Sequence, residues 1–370
     1  MTPQASPSPI SPDYGGLMAI RRSSKILIAL GILLIAAAAV VRFAIVPSVS
    51  KLPTSLDVTN HYEGTGTLLN PQALQSGDTA HALASNVPVT IDRHTYVSET
   101  HGNTAIVHDD FTVRAPGGIA MPSNHTYAVD RKTMDTAPAS NGVDVQPHRG
   151  LTIGWPISPD RDTQYQLYDF ATRTTAPMKY TGEAKIAGRD VLDYTVAATG
   201  PLEDKAILSA LPPALPKSQL AGLAPLLPAE LQAKIGAAAA TLPDPVPLNY
   251  TSTSNLGLAA DKTLGTPADG SIQMKIVVNA DLAGQNTPIM PVLTVDTKLT
   301  PASISAAADT ASRTSGLLNL ISLWIPLLLL VLGVVLALIG FLRRKAPVAT
   351  TPIAPTPTPS STSSTKPAAG

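Results

Sequence analysis

Histidine is the first residue to test for chemistry in this chain of 370 residues. There are seven, and all lie between His61 and His148. His94, His101 and His108 recur every seven residues. Seven is odd, so one strand would send successive members to opposite faces. No HExxH or comparable ligand spacing is present, and the histidines read as solvated or hydrogen-bonded rather than metal-binding. The carboxylates say little more. Asp109 and Asp110 are adjacent, and neighbouring side chains on a strand diverge, which makes a poor acid–base pair. Asp57, Glu63, Asp160 and Asp162 have no partner at a useful spacing and read as surface or turn residues. Gly64-Thr65-Gly66 is not followed by the GK[ST] of a phosphate loop, and no GxSxG nucleophile elbow occurs. With no cysteine, disulfides, thiolate catalysis and Cys-ligated zinc are excluded. The expectation is a protein that is not an enzyme and holds neither cofactor nor metal.

The elements that must carry any function are easier to read. Leu317 to Leu342 is a run of 26 residues without a charge, followed by Arg343, Arg344 and Lys345. At ~1.5 Å per residue it can cross a hydrocarbon core of ~30 Å with some tilt. Pro326 is tolerable inside such a helix. Ile26 to Val46 is a second apolar run, preceded by Arg21, Arg22 and Lys25. It imitates a signal peptide, but its length and Arg42 near its outer end favour a retained anchor over a cleaved leader. Basic residues at the outer margins of both runs place both tails in the cytoplasm. The Pro- and Ser-rich 1–16 and the Pro-, Thr- and Ser-rich 346–370 read as disordered. Met18 starts MAIRRSSKILI and is a sensible alternative to Met1 as the first residue.

The net charge of zero hides an asymmetry. Residues 47–316 carry 18 cations against 25 anions, a net of seven negative charges. Such a surface excludes nucleic acid as a natural partner, since phosphate contacts need Lys and Arg. Within this section, short β-branched runs at 88–92, 104–108, 111–114, 271–279 and 291–297 are separated by Asn, Asp, Gly and Pro. They predict antiparallel sheet, curled toward a barrel. Residues 202–242 turn rich in Ala, Leu and Pro and predict short helices. There Leu220, Leu223, Leu227, Leu231 and Ile235 recur every three to four residues. Two readings stay open for that face: it packs on the sheet, or it forms an apolar patch that covers or admits a lipid ligand. Ala302 to Ser315 predicts a helix leading into the second apolar run.

Four motifs in order resemble one family: YEGTGTLLN at 62–70, DRKT at 130–133, WP at 155–156 with YQLYDF at 165–170, and YTGEAKIAGRDVLDY at 180–194. Between two apolar helices, they resemble the actinobacterial "porin PorA" family of two-helix envelope proteins. The family's later acidic-Pro-x-Thr-Gly element is only dimly matched near 259–270. The resemblance carries no catalytic residues over. Locally, DRKT suits a turn, WP with Tyr168 and Asp169 suits a packed corner, and EAKIAGR suits a hairpin with Gly188 at its turn. The layout also resembles the two-helix scavenger receptors, which handle lipids.

The expected fold class is α+β: a membrane-anchored, β-rich antiparallel and barrel-like ectodomain with short helices, between two transmembrane helices. The expected division is a cytoplasmic tail over 1–25, a first span over 26–46, an extracytoplasmic domain over 47–316 with a helical subregion at 202–242, a second span over 317–342 and a cytoplasmic tail over 343–370. The expected function is that of a plasma-membrane protein of the cell envelope that binds or transfers lipids or other apolar molecules. Its partners would be the lipid bilayer and lipids or envelope proteins. The alternatives are a subunit of an oligomeric pore and a structural partner in envelope assembly.

Overall fold

The computed structural model describes residues 15–343 apart from 71–72, 74–75, 77, 79–80 and 140–141. The expectations for 1–14 and 344–370 lie outside the described residues. The chain divides into two units: the apolar helices, with residues up to Val41 and from Trp324, and a body spanning Arg42–Leu323.

The helical unit pairs α1 (Gly15–Val40) with α7 (Ile325–Leu342); the short α2 (Val46–Val49) is the first helix of the body. Apolar helical spans run over Ser23–Val49 and Pro301–Leu342, both long and apolar enough to cross a membrane. Small residues, spaced by sevens, form the contact. Ser24, Gly31 and Ala38 are buried on α1, and Pro326, Gly333 and Gly340 on α7. A Cβ on Gly31 would lie 2.8 Å from the Ala337 nitrogen, and one on Gly333 would lie 2.8 Å from the Gly31 carbonyl oxygen. The Ser24 hydroxyl donates to the Gly340 carbonyl at 2.5 Å. Without side chains in the way the two backbones touch, the usual device of helices packing in lipid. A seven-residue repeat keeps that seam in register along both.

The body is built on one antiparallel sheet. β1 (Asp57–Leu69), β2 (Leu83–His101), β3 (Thr104–Ala115), β4 (Ile119–Asp130), β7 (Lys179–Ile186), β8 (Arg189–Pro201), β10 (Val246–Asp261), β11 (Pro267–Leu282) and β12 (Gln285–Leu299) run in the order β4-β3-β2-β1-β12-β11-β10-β8-β7. β5 (Gln166–Asp169) and β6 (Thr174–Pro177) form a separate hairpin, and β9 (Ala214–Leu215) adds to β10. The end strands β4 and β7 do not pair with each other, so the expected barrel is not closed. The strands are also longer than the sequence suggested. The runs at 104–108 and 111–114 are one strand, because Asp109 finds a buried partner and need not mark a turn.

Local chemistry explains the motifs. Gly64 and Gly66 sit where β1 meets β12; a Cβ on either would overlap the Asp296 or Thr294 carbonyl. At 130–133 the Asp130 carboxylate accepts from the Lys132 and Thr133 amides, which closes the turn after β4. The Arg131 side chain, buried, donates to the Leu52 carbonyl at 2.8 Å. Ala187 and Gly188 both take positive φ, as a two-residue turn between β7 and β8 requires. Trp155 donates its amide to the Gly265 carbonyl and packs 5.5 Å from Tyr194. Thr300 caps α6 (Pro301–Asn319) by accepting from the Ser303 amide, and the Ser303 hydroxyl accepts from the His61 amide, which fastens the helix start to β1.

The subregion after Leu202 folds as α3 (Lys205–Ser209), α4 (Lys217–Gly222), a 3-10 turn at Ala224–Leu226 and α5 (Ala229–Ala238). Pro225 and Pro228 break what would otherwise be one helix. Most of their leucines turn into the core, while Leu226 stays exposed. Leu220, Leu223, Leu227 and Ile235 are buried and Leu231 is half-buried, in one core with Leu202, Val246, Ile276 and Ala280. They do not form an exposed apolar patch, because the sheet offers a face that removes them from water.

Candidate functional site

One face of the sheet surrounds a cavity of about 120 Å³. β1 to β4 and β10 to β12 all contribute to its lining, together with β5 and the 151–155 loop. The alternation of strand residues sets this lining: Ser254, Leu256 and Leu258 of β10 share one face, as do Asp109, Phe111 and Val113 of β3. Apart from these, the walls are mostly apolar, with Ile91, Met121, Met274 and Leu293 among them. Leu220, Leu223, Leu227, Leu231 and Ile235 are not part of the lining. A second, more open cleft of about 470 Å³ lies between Leu208, Leu211 and Pro213 on one side and Leu248 and Tyr250 on the other.

Two buried polar groups flank the main cavity. In the first, Arg93 holds Asp109 with two bonds of 2.8 Å and donates a third, at 3.1 Å, to the Thr152 carbonyl. Thr95 donates to the same carboxylate at 3.0 Å, and the guanidinium lies 4.9 Å from the Phe111 ring centre. Burial by itself would push the Arg93 pKa down; the Asp109 charge and its hydrogen bonds more than reverse this, and the net shift is upward. Burial pushes the Tyr62 hydroxyl up, with Arg93 opposing. The guanidinium is committed to these contacts, and the pair positions the cavity walls.

The second group joins Ser123, His125 and Asp204. The Ser123 hydroxyl lies 3.0 Å from His125 Nε2 and 2.9 Å from an Asp204 oxygen, and His125 Nδ1 lies 3.1 Å from Gln146 Oε1. The residue types are those of a hydrolase triad, but the order is wrong: the carboxylate accepts from the serine itself instead of orienting the histidine from behind. Asp204 also caps α3 by accepting from the Ile207 amide at 2.8 Å. The group therefore reads as a pin between α3 and β4.

Of the other histidines His148 is buried, and the rest are exposed or half-buried. His94 and His108 stack on the two sides of Tyr96, at 4.7 and 4.6 Å, and His94 pairs with Asp57 at 2.8 Å. Asp110 lies opposite His94 on the adjacent strand, and burial raises its pKa against their attraction. Among the described residues no group of three or more His, Cys, Asp or Glu could hold a metal ion. Glu63, Asp160 and Asp162 lie outside the cavity lining. The sequence reading missed Asp109 and Arg93. Two opposite charges on β-branched runs were a signal, but only the β2–β3 register brings them together.

Of the comparisons with solved structures, one is with "Structure of full-length peroxisomal multifunctional enzyme type 2 from Drosophila melanogaster", at 10% identity and a TM-score of 0.12, covering 66% of this chain and 37% of that one. This chain thus spans little more than a third of that protein. A "MaoC-like dehydratase" matches at 12% identity and a TM-score of 0.13, covering 73% and 82% of the two chains. A putative MaoC domain protein dehydratase from Chloroflexus aurantiacus J-10-fl matches at 13% identity and a TM-score of 0.12, covering 73% and 80%. At these scores the likeness carries no argument about fold or activity. No curated protein matches the sequence. The family model described as Porin PorA matches residues 23–342, from the buried Ser24 end of α1 to the end of α7, and so takes in both helices and the whole body. This chain belongs to the porin PorA family.

Proposed function

We propose that this porin PorA family member is a two-pass plasma-membrane protein of the cell envelope whose extracytoplasmic body binds apolar molecules. The observation that carries the reading is a mostly apolar cavity inside a folded body that is bracketed in sequence by two membrane-length helices. The antiparallel contact of Ser24 with Gly340 supports the topology. It brings Lys25 and Arg343 to the same end of the pair, and the positive-inside tendency assigns that end to the cytoplasm. The ligand enters the body's interior; the leucines of the 202–242 subregion serve to close that body and not to meet the ligand.

The absence of cysteine makes the test direct. Single Lys185→Cys and Lys366→Cys variants are labelled in whole cells with an impermeant maleimide. Lys185→Cys is expected to label at once and Lys366→Cys only after permeabilisation; the reverse pattern overturns the topology. Organic extraction of the detergent-purified full chain, followed by mass spectrometry, is expected to release an apolar compound in stoichiometric amount. Its absence counts against apolar binding.

A second reading, an oligomeric pore, is favoured by the family's own description. The close Gly31–Gly333 approach leaves no room for water between the two helices of one chain, so a channel needs several copies. Conductance in planar bilayers from the full chain, lost in a variant lacking Ile325–Leu342, supports it.

A further inference from the structure

The main cavity and the open cleft border the same short helix. Ile207 of α3 is in the lining of the cavity, and its neighbour Leu208 is in the lining of the cleft. Successive residues of a helix are turned by about 100°, so α3 stands between the two spaces with one side to each.

The chain on either side of α3 is well fastened. Before it, the Leu202 amide donates to the Tyr250 carbonyl at 2.9 Å and the Glu203 amide to the Ala171 carbonyl at 2.7 Å. After it, the Tyr250 hydroxyl donates to the Pro212 carbonyl, and the Leu248 amide donates to the Pro213 carbonyl at 2.8 Å. Between these fixed points, among the described residues, 205–211 hydrogen-bond only to one another and to Asp204. No residue of α3 is buried, and Ile207, Leu208 and Leu211 are half-buried. A helix of five residues is too short to hold itself. Asp204 holds it instead. One carboxylate oxygen accepts from the Ile207 amide at 2.8 Å; the other accepts from the Ser123 hydroxyl at 2.9 Å and lies 3.5 Å from His125 Nε2.

The cleft suits an apolar molecule in transit. None of its lining residues carries a charge, and Leu202, Leu208, Leu211 and Leu248 give it an apolar wall. At about 470 Å³ it lies within the ~300–1,000 Å³ of small-molecule sites. The cavity behind α3, at about 120 Å³, is nearer the ~150 Å³ void that takes a benzene.

We propose that the cleft is the entrance to the cavity and that α3 is its gate, latched through Asp204 to Ser123 and His125. A small uncharged apolar molecule collects in the cleft, displaces α3 and passes into the cavity, and the latch closes behind it. This rests on the reading that the body binds apolar molecules and adds the route by which they enter.

Trp155 lines the cavity and is one of only two tryptophans. The full chain carrying Trp324→Phe, in nanodiscs, is mixed rapidly with 1-bromopropane, whose heavy atom quenches tryptophan emission. The latch is closed in both the empty and the filled state, so weakening it alters rates and not occupancy. Asp204→Ala is expected to speed both the onset of quenching and its reversal on dilution by about tenfold or more, the equivalent of at least one hydrogen bond. The final extent of quenching is expected to stay the same. Asn249→Cys, exposed in the cleft, is coupled to a polyethylene-glycol maleimide, which is expected to slow the onset several-fold. The same label on Lys185→Cys, exposed on β7 and outside both linings, is expected to leave it unchanged. The blocked cleft leaves the latch intact and decides the matter if Asp204→Ala folds poorly. Quenching as fast with the cleft blocked as without overturns the entrance, and quenching that a folded Asp204→Ala does not speed overturns the gate; either leaves the broader reading standing. No quenching at equilibrium in any variant overturns both.

Discussion

The helix pair and the sheet body use apolar residues in opposite ways. In the pair, the large side chains point out: Leu328 is 61% exposed, while Gly31, Gly333 and Gly340 form the inside. In the body, Tyr127, Tyr194, Ile106 and Leu192 are sealed from solvent and the polar residues lie mostly outside. The body's order is what water dictates, since apolar surface is hidden wherever the chain can hide it. The pair's order is that of a surface matched to lipid, where association comes from close backbone packing and not from hiding grease. The contrast teaches that one chain holds two opposite packing orders, large residues outward over a small-residue seam in the pair and large residues inward in the body.

That contrast can be broken at chosen points. The largest effect is expected in the body, where the interior tolerates charge only in pairs. Asp109→Ala leaves Arg93 buried and alone and should cost about 3–5 kcal/mol, measured by urea unfolding of the full chain followed by near-UV circular dichroism. An effect below about 1 kcal/mol would mean that water reaches the guanidinium. Next, Leu220→Ala should cost about 2–5 kcal/mol if the 202–242 leucines are core. Leu226→Ala, at an exposed site six residues on, should stay within about 0.5 kcal/mol. Equal costs at the two positions would restore the exposed-patch reading. In the helical unit the sensitivity reverses, and adding bulk does the damage. Gly333→Leu should weaken the helix pair by about 1–3 kcal/mol, seen as a lower helical melting temperature in detergent, with the near-UV signal of the body unchanged.

The smallest expected effect is a change of slope with pH. Burial lowers the His148 pKa below its ordinary 6.5, against the Gln146 carbonyl and Asp135, which raise it. The folded state therefore binds fewer protons than the unfolded one near and below that value. Stability from this residue is present above pH 6.5 and is lost as the pH falls through the folded pKa. His148→Gln should flatten the dependence of unfolding free energy on pH between about 7 and about 5. An unchanged slope would show that His148 is not buried neutral. Asp261 acts in the same direction at lower pH: burial raises its pKa, but Arg189 and the Leu264 and Thr263 amides bring the net shift below 3.8.

Parts of this were legible before any coordinates. The two apolar runs, the basic residues beside them and the turn at Gly188 follow from composition and from local backbone preference, and they correspond to helices and a hairpin. The family resemblance rested on motifs whose residues turn out to make turns and corners, such as Asp130 closing on the amides of its own neighbours. Asp109 was misjudged because an aspartate inside a β-branched run looks like a separator. Its partner Arg93 lies sixteen residues away on another strand, and nothing local distinguishes a buried pair from two surface charges. The leucines of the 202–242 stretch showed a helical period, but period alone does not say whether that face meets water, ligand or sheet.

Local interactions decided the elements: which segments are apolar enough for lipid and where the backbone turns, and the lack of cysteine excludes thiol chemistry. Only the folded chain decided that the sheet stays open, that Arg93 and Asp109 neutralise each other inside it, and that Thr152, Trp155 and Ser254 line one cavity without partners. The physical reason is range. Propensity and hydropathy act over a few residues, whereas a cavity is the space left by side chains brought together from strands as far apart in sequence as β1 and β12.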